Sequence, residues 1–339
     1  MSTPRHIRLG SRGSALALWQ TEHVAAQLRA QYPDLAIEKV VIQTKGDRVL
    51  DKPLPSIGGK GLFTLELEEM LLSGGIDAAV HSLKDLPAAD PEGLALGAIP
   101  ARGEVSDAII VRNEEVRQHT VLALNEGAVV GTGSVRRAAQ LLALRPDLRI
   151  RGIRGNVDTR VRKALDPEGP YDAVVLASAG LNRLGLDEHI TLTLPLEQML
   201  PAPGQGALAV QCRRDPEWLD LFGPIENSDT RVAVTAERAF LAGLGGGCRA
   251  PIAALGEPAP LNASVGSSSQ TVQAESLRLR GRVSAPDGSR QVDVQMTGPR
   301  DEAEQLGRDL AQWALREGAR EIIDIIYQNE GPPSAGLPK

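Results

Sequence analysis

The sequence predicts an α/β protein built as two successive lobes of strand–helix units, closed by a small α+β domain. Three observations predict it. Short apolar runs alternate with amphipathic helical stretches from Arg5 to Val111, the signature of a parallel sheet fed by crossover helices. The alternation restarts at AVVGTGSVRRAAQLLALRP and continues to about Leu184. After Gly247 it gives way to a hairpin and one helix. A chain of 339 residues also exceeds what one core ordinarily organises, so several domains are expected. The expected division is 1–102 with 202–222, then 103–201, then 223–330, with 331–339 as a tail.

In chain order, RHIRLGS (5–11) reads as a strand. Ser14 can cap the helix that follows, in which Ala17, Thr21, Val24 and Leu28 share a face as far as Pro33. LAIEKVVIQT (35–44) is a second strand, and Lys45–Gly61 is a long loop containing GGKG (58–61). A helix around Leu65–Leu72 stops at Gly74 and Gly75, and the buried strand IDAAV (76–80) runs directly into HSLKDLP. LALGAIP (94–100) and DAIIV (107–111) complete the first series. In the second, the strand before Gly131 turns at Thr132, Gly133 and Ser134 into a helix whose first unpaired amides make an anion site. LRIRGI, a helix from about Asn156 to Leu165, YDAVVLA and a short helix near Ala179–Leu184 repeat the unit. PAPGQGALAVQCR (201–213) sets Gly204 and Gly206 before another strand. Ser228–Leu244 is an amphipathic helix ended by three glycines, with Cys248 immediately after them. The last domain is a hairpin turning at Asp287–Gly288 and a helix from Asp301 to Glu317.

Charge is unevenly spread. Gly131–Leu165 carries nine basic residues against Asp147 and Asp158, a local net of +7 in a chain of −6, which leaves −13 elsewhere. Eight of the nine are arginine, whose planar fork grips carboxylate or phosphate with two parallel bonds; a solvated helix face is the other source of such a run. The sequence pI of about 5.5 argues against a general DNA binder, and 3% aromatics against a stacking platform for single strands. Neither an apolar leader nor a membrane-length apolar run is present, and two distant cysteines fit a reducing compartment, so a soluble cytoplasmic protein is expected.

Several motifs are less than they resemble. GTGSVR has Arg136 where a dinucleotide fingerprint needs its third glycine, and GGKG lacks the spacer of a phosphate loop. His6, His23, His81, His119 and His189 show no metal-ligand spacing, so no metal is expected. Asp85, beside Lys84 and just past a buried strand, sits where open α/β sheets bind ligands; a solvated ion pair is the plainer alternative. At Cys248 the preceding helix C-terminus disfavours a thiolate while Arg249 favours one. Cys212, inside an apolar strand, is expected to be inert.

Together RGSALALWQ (12–20), GGKGLFTLELE (58–68), HSLKDLP (81–87), GTGSVRRAAQ (131–140), RGNVDTR (154–160), LASAGLNRLGL (176–186), PGQGAL (203–208), TAERAFL (235–241) and GGGCRAP (245–251) resemble the porphobilinogen deaminase (hydroxymethylbilane synthase) family over nearly the whole chain. The resemblance implies two periplasmic-binding-protein-like α/β domains flanking a cleft, and a small α+β C-terminal domain. It implies a transferase of tetrapyrrole and haem biosynthesis that condenses four porphobilinogen molecules into hydroxymethylbilane with loss of ammonia. The implied cofactor is a dipyrromethane primer in thioether linkage to Cys248, held by Ser14, Lys84, Thr132, Ser134, Arg136, Arg137 and Arg160. Substrate contacts fall on Arg12, Lys60, Arg154, Arg160, Arg183 and Gln205, and the catalytic carboxylate on Asp85. Asp85 would offset the azafulvenium cation left when the aminomethyl nitrogen departs. Arg145, Arg149, Arg162 and Lys163 are left as a solvated face.

Three positions depart from the family pattern: Gly133 where a Ser is frequent, Ser106 where an Arg often precedes the Asp, and Asp158 within the RGN segment. A monomer acting on a small molecule, with no nucleic acid or membrane partner, is implied. The competing reading is a non-catalytic bilobal anion-binding protein or regulator effector domain, which accounts for the arginines but not for GGGC or for an Asp amid basic residues.

Overall fold

The computed structural model describes residues 6–48, 64–112, 116, 121–245, 250–259 and 276–328. The first lobe opens with β1 (His6–Ser11), α1 (Ala15–Gln31), β2 (Ala36–Val41), α2 (Lys45–Arg48), α3 (Leu65–Leu72), β3 (Ala78–Ser82) and β4 (Leu94–Ala98). The chain then crosses to a second lobe made of β5 (Asp107–Val111), β6 (Val129–Gly131), α4 (Val135–Leu144), β7 (Arg149–Arg151), α5 (Val157–Leu165), β8 (Ala173–Ala177), α6 (Ser178–Arg183) and β9 (Leu192–Thr193). It returns as β10 (Leu208–Arg213), followed by α7 (Pro216–Phe222). A third unit holds α8 (Ser228–Gly243), β11 (Ile252–Ala259), β12 (Ser276–Ser284), β13 (Gln291–Pro299), α9 (Ala303–Ala314) and α10 (Arg320–Gln328).

The two large sheets share one plan, β2-β1-β3-β10-β4 and β7-β6-β8-β5-β9. The sheets are mixed, which corrects the expectation of a parallel sheet. β1 runs parallel to β2 and β3, but β10 is antiparallel to β3 and β4, and β5 to β8 and β9. The reason is connectivity: each inserted strand arrives from the other lobe rather than through a crossover helix. Its first residue therefore lands at the carboxyl ends of its neighbours, Asp107 opposite Ala177 and Leu208 opposite Ser82. Both inter-lobe connections thus run along the edge where open sheets present their ligand sites.

Apolar packing fixes each unit separately. Ile7, Leu9, Val24, Leu28, Val80 and Val210 join α1 to the first sheet. The second sheet is buried on both faces, by Ile109, Val130 and Val175 on one and Ile110, Val174 and Leu176 on the other. In the third unit Phe240, Leu279, Val294, Leu310 and Ile323 form one core. The helix expected over 301–317 ends at Ala314; a π-type turn with Gly318 at φ 105 restarts it as α10, which buries Ile322, Ile323 and Ile326. β11 completes a three-stranded sheet where only a hairpin was expected.

Gly206, at φ +84 in the second connection, would place a Cβ 2.6 Å from Gly103 O and 2.8 Å from Glu104 O of the first. Gly206→Ala should therefore destabilise the protein by about 2 kcal/mol or more in urea unfolding. Gly185→Ala, at φ +64 with nothing within 4 Å, should cost only about 1 kcal/mol. Equal effects would contradict the close packing of the two connections.

Candidate functional site

β3 ends in a single 3-10 turn, Leu83–Asp85, pinned by the buried Leu83 and leaving Asp85 exposed. Lys84 is half-buried and its Nζ donates to Gln205 Oε1 at 3.3 Å. Burial pulls the Lys84 ammonium down to about 8; the charges of Arg137 and Arg136 act the same way, against Asp85 and Asp107. Asp85 and Lys84 thus share their surroundings with groups of the other lobe.

The facing wall is the start of α4. Ser134 caps it by accepting from Arg137 N at 3.4 Å, and Thr132 Oγ1 accepts from Ser134 N at 3.1 Å. Arg136 and Arg137 lie inward, only 5% and 6% exposed, and both meet Asp107, which is fully buried. Arg137 donates to Asp107 Oδ1 through Nε at 3.0 Å and Nη2 at 2.7 Å, and Arg136 Nη1 is ion-paired to Asp107 Oδ2 at 2.7 Å. Burial alone would raise the Asp107 carboxyl; the two guanidinium charges outweigh it and hold the group well below the usual carboxylate range. Arg136 also donates to Leu200 O at 2.7 Å, while its buried Nε has no acceptor.

Asp107 is the residue that sequence reasoning missed. The available signal was an acid opening the apolar run DAIIV, since a buried carboxylate requires a partner.

Arg160 Nε donates to Gly155 O at 2.8 Å. Burial, then the charges of Arg137 and Arg154, lower Arg160 to about 10, with Asp85 opposing them. The charges of Asp85 and Arg160 therefore interact across the lobes. Arg154 is half-buried and lowered by burial. Arg183 donates to Gly206 O at 2.6 Å and stacks over Trp19 of α1 at 5.6 Å. Ser14 caps α1 by accepting from Ala17 N at 3.3 Å. His81 is driven down to about 4 by burial first, with a Gln211 hydrogen bond opposing and Arg12 adding, so its ring is neutral near pH 7. The Arg12 charge accordingly lies near the end of β3.

Gln205 is fully buried: besides accepting from Lys84, it donates to Val105 O at 2.7 Å and Asp107 Oδ1 at 3.0 Å. It joins the Asp85 turn to the arginine wall as an internal strut, a place that differs from the substrate contact expected of it, since none of its surface is exposed. Lys60 and Cys248 lie outside the described residues. Cys212 is fully buried, and burial raises its thiol to about 11.

Arg145 corrects the solvated-face expectation: it pairs with Asp147 at 2.7 Å and donates to the carbonyls of Val121 and Asn125 at 3.0 Å. Arg149, Arg162 and Lys163 are exposed as expected. At the departures, a side chain at Gly133 would meet Ile153 O at 3.1 Å, Ser106 Oγ bonds Ser178 Oγ at 2.9 Å, and Asp158 pairs with the exposed Arg162 at 3.7 Å.

Two α/β lobes that bring arginines, a lysine and one exposed aspartate together have the donor set of a protein class that binds polyanions between two lobes. The comparisons narrow that class. A family model described as porphobilinogen deaminase, dipyromethane cofactor binding domain, matches residues 7–220, and one described as porphobilinogen deaminase, C-terminal domain, matches 232–316. A porphobilinogen deaminase of Geobacter metallireducens is 46% identical over 328 residues, covering 96% of both chains. One of Pelobacter propionicus is 45% identical over 328 residues, covering 96% of this chain and 99% of its own. The periplasmic VFT2 domain of Bordetella pertussis BvgS aligns with 65% of this chain and 86% of its own at 17% identity and a TM-score of 0.41. The chain belongs to the porphobilinogen deaminase family.

Asp107→Asn should leave two buried guanidinium groups without their counter-charge and destabilise the protein by about 3–5 kcal/mol. Because its folded pKa is depressed, Asp107 contributes stability above the ordinary carboxylate value of about 4, and that contribution is lost as pH falls below it. Acid titrations of unfolding free energy should show this slope in the parent and a shallower one in Asp107→Asn. Identical slopes would contradict the pairing.

Proposed function

We propose that the chain is a hydroxymethylbilane synthase, a transferase that condenses four porphobilinogen molecules head to tail and releases hydroxymethylbilane and ammonia in tetrapyrrole biosynthesis. The observation that carries the reading is one exposed carboxylate, Asp85, electrostatically coupled to a wall of buried and half-buried arginines. Each porphobilinogen brings an acetate and a propionate, so a growing chain needs cations at successive positions, whereas its reacting carbon, positive once the amine leaves, needs a carboxylate. An anion-binding protein without chemistry would have no use for that exposed carboxylate among its cations.

The donor set fits a dipyrromethane primer. The unpartnered Arg136 Nε, the capped turn at Thr132 and Ser134, and the Lys84 ammonium are groups that hold carboxylates. We assign Ser14, Lys84, Thr132, Ser134, Arg136, Arg137 and Arg160 to the primer and Cys248 to its thioether attachment. When bound, the primer supplies the terminal pyrrole to which the first substrate unit is joined. Arg12, Lys60, Arg154, Arg160 and Arg183 are assigned to substrate carboxylates. Gln205 serves the site by fixing Lys84 against Asp107. Asp85 accepts hydrogen bonds from pyrrole N–H groups, offsets the positive charge as the amine leaves, and carries a proton to the amine and from the coupled ring.

We take the protein to act as a cytoplasmic monomer without metal, nucleic acid or membrane. The acidic balance of the chain supports the part of this reading that concerns nucleic acid. The sheets support the division 1–102 with 202–222, 103–201, and 223–330.

Intact-mass measurement of the purified protein should show a surplus equal to one dipyrromethane, absent from Cys248→Ser; the bare sequence mass, together with no turnover of porphobilinogen, would sink the proposal. Asp85→Ala should keep the surplus yet lose on the order of 10²-fold or more in kcat. Lys84 is protonated below about 8 and loses its charge as pH rises through that value, so KM for porphobilinogen should climb there. Because Lys84 is assigned to the primer, this limb reports how firmly the primer presents its terminal ring to the substrate; Lys84→Arg should remove it, and an unchanged profile would show that the Lys84 charge does not hold the primer.

A further inference from the structure

We propose that Gln140 is a positioning residue for Arg136, and that the third domain sets Gln140 through Arg282. The inference rests on the reading of Arg136 as a carboxylate ligand.

Gln140 stands one turn after Arg136 on α4, so both side chains project from one face of the helix. It is fully buried and clamps the backbone of Leu200 at two points, accepting from Leu200 N at 2.8 Å and donating to Leu200 O at 3.0 Å. The same carbonyl accepts from Arg136 Nη1 at 2.7 Å. Gln140 thus fixes the oxygen that aims the Arg136 fork, and that fork is divided between Leu200 O, Asp107 and a buried Nε with no acceptor. If the Leu200 carbonyl drifted, the nearest remaining anchor for the guanidinium would be Asp107, and the free Nε would lose its direction.

The second link comes from the third domain. Arg282 of β12 donates through Nη1 to Gln140 Oε1 at 3.0 Å and to Gln198 O at 3.3 Å, and through Nη2 to Glu197 O at 3.2 Å. With two donors on Oε1 and a carbonyl facing Nε2, only one orientation of the Gln140 amide satisfies every partner. The β12–β13 turn braces the same helix: a Cβ at Gly288 would lie 2.4 Å from Ala143 N and 2.6 Å from Leu142 C. The third domain, to which the primer attachment is assigned, therefore holds α4 at two places and ends one of its contacts on the oxygen network of Arg136. The unit whose sequence carries Cys248 and the helix that carries Arg136 are thereby joined by a direct contact.

The test is a double-mutant cycle on the full-length holoenzyme, reading KM for porphobilinogen and the fraction of protein that carries the dipyrromethane mass. Gln140→Leu removes the side-chain bonds while keeping the volume, and should lower the dipyrromethane-loaded fraction roughly tenfold, with a smaller rise in KM for the loaded protein. In an Arg136→Lys background, which keeps the charge but not the fork, the same change should add less than about twofold, because the two act as one unit. Arg282→Ala, at the domain surface, should behave likewise in weaker form, and it carries the cycle alone if Gln140→Leu does not fold. Full additivity with Arg136→Lys, or unchanged KM and loading in the single variants, overturns the inference. If Arg136→Lys itself alters neither KM nor loading, the assignment of Arg136 as a ligand fails, and the inference falls with it.

Discussion

The buried carboxylate of Asp107, gripped by Arg136 and Arg137, is the interaction on which the site depends. Two guanidinium groups withdrawn from water side by side would repel each other and forfeit solvation; one carboxylate between them removes most of that cost and leaves a single net positive charge at the lobe edge. That residual charge is held rigidly, with Arg136 donating to Leu200 O and Arg137 to Val175 O, so the proposed ligand carboxylate would meet a preorganised partner rather than a flexible one. Asp107 can stand there because β5 enters its sheet antiparallel, which brings its first residue to the carboxyl end of β8, opposite Ala177.

A second buried acid does comparable work where the three units meet. Glu237 of α8, fully buried, accepts both arms of Arg102 at 2.7 and 3.0 Å, Gly204 N at 2.7 Å and Gly256 N at 2.8 Å. Its partners are one inter-lobe connection, the other connection, and β11 of the third domain. With Gln205 running from Lys84 to Asp107, the joints of the molecule combine buried polar networks with small apolar clusters such as Leu200, Ala253 and Leu255. Such joints specify one geometry, because each unsatisfied member would be costly.

Much of this was legible in the sequence. The cap at Ser14, the turn at Thr132–Ser134 into a helix, the place of Asp85 after a buried strand and the two strand–helix series follow from local periodicity and turn chemistry. The basic run was legible as charge but not as pairing. Arg136 and Arg137 were readable as anion ligands, yet their first partner is an aspartate some thirty positions earlier in the chain, and Arg145, which looks like a solvated cation, is a brace for the loop before β6. Gln140 and Glu237 look like ordinary polar positions on amphipathic helices, since only the third dimension supplies their partners. α10 was hidden by Gly318, which ends one helical register without ending the helical path. The antiparallel sense of β5 and β10 was hidden because a strand's direction depends on which lobe the chain comes from.

The proposed function asks of this site that it hold a polyanion while its length changes and offer Asp85 to a transient cation. The most direct measurement is a mass-spectrometric titration of the native protein with one to four equivalents of porphobilinogen. The account predicts a ladder of discrete covalent species, each heavier by one pyrrole unit than the last, that returns to the starting mass as product is released. A single unchanged mass at every ratio, in protein shown to be folded, would contradict it.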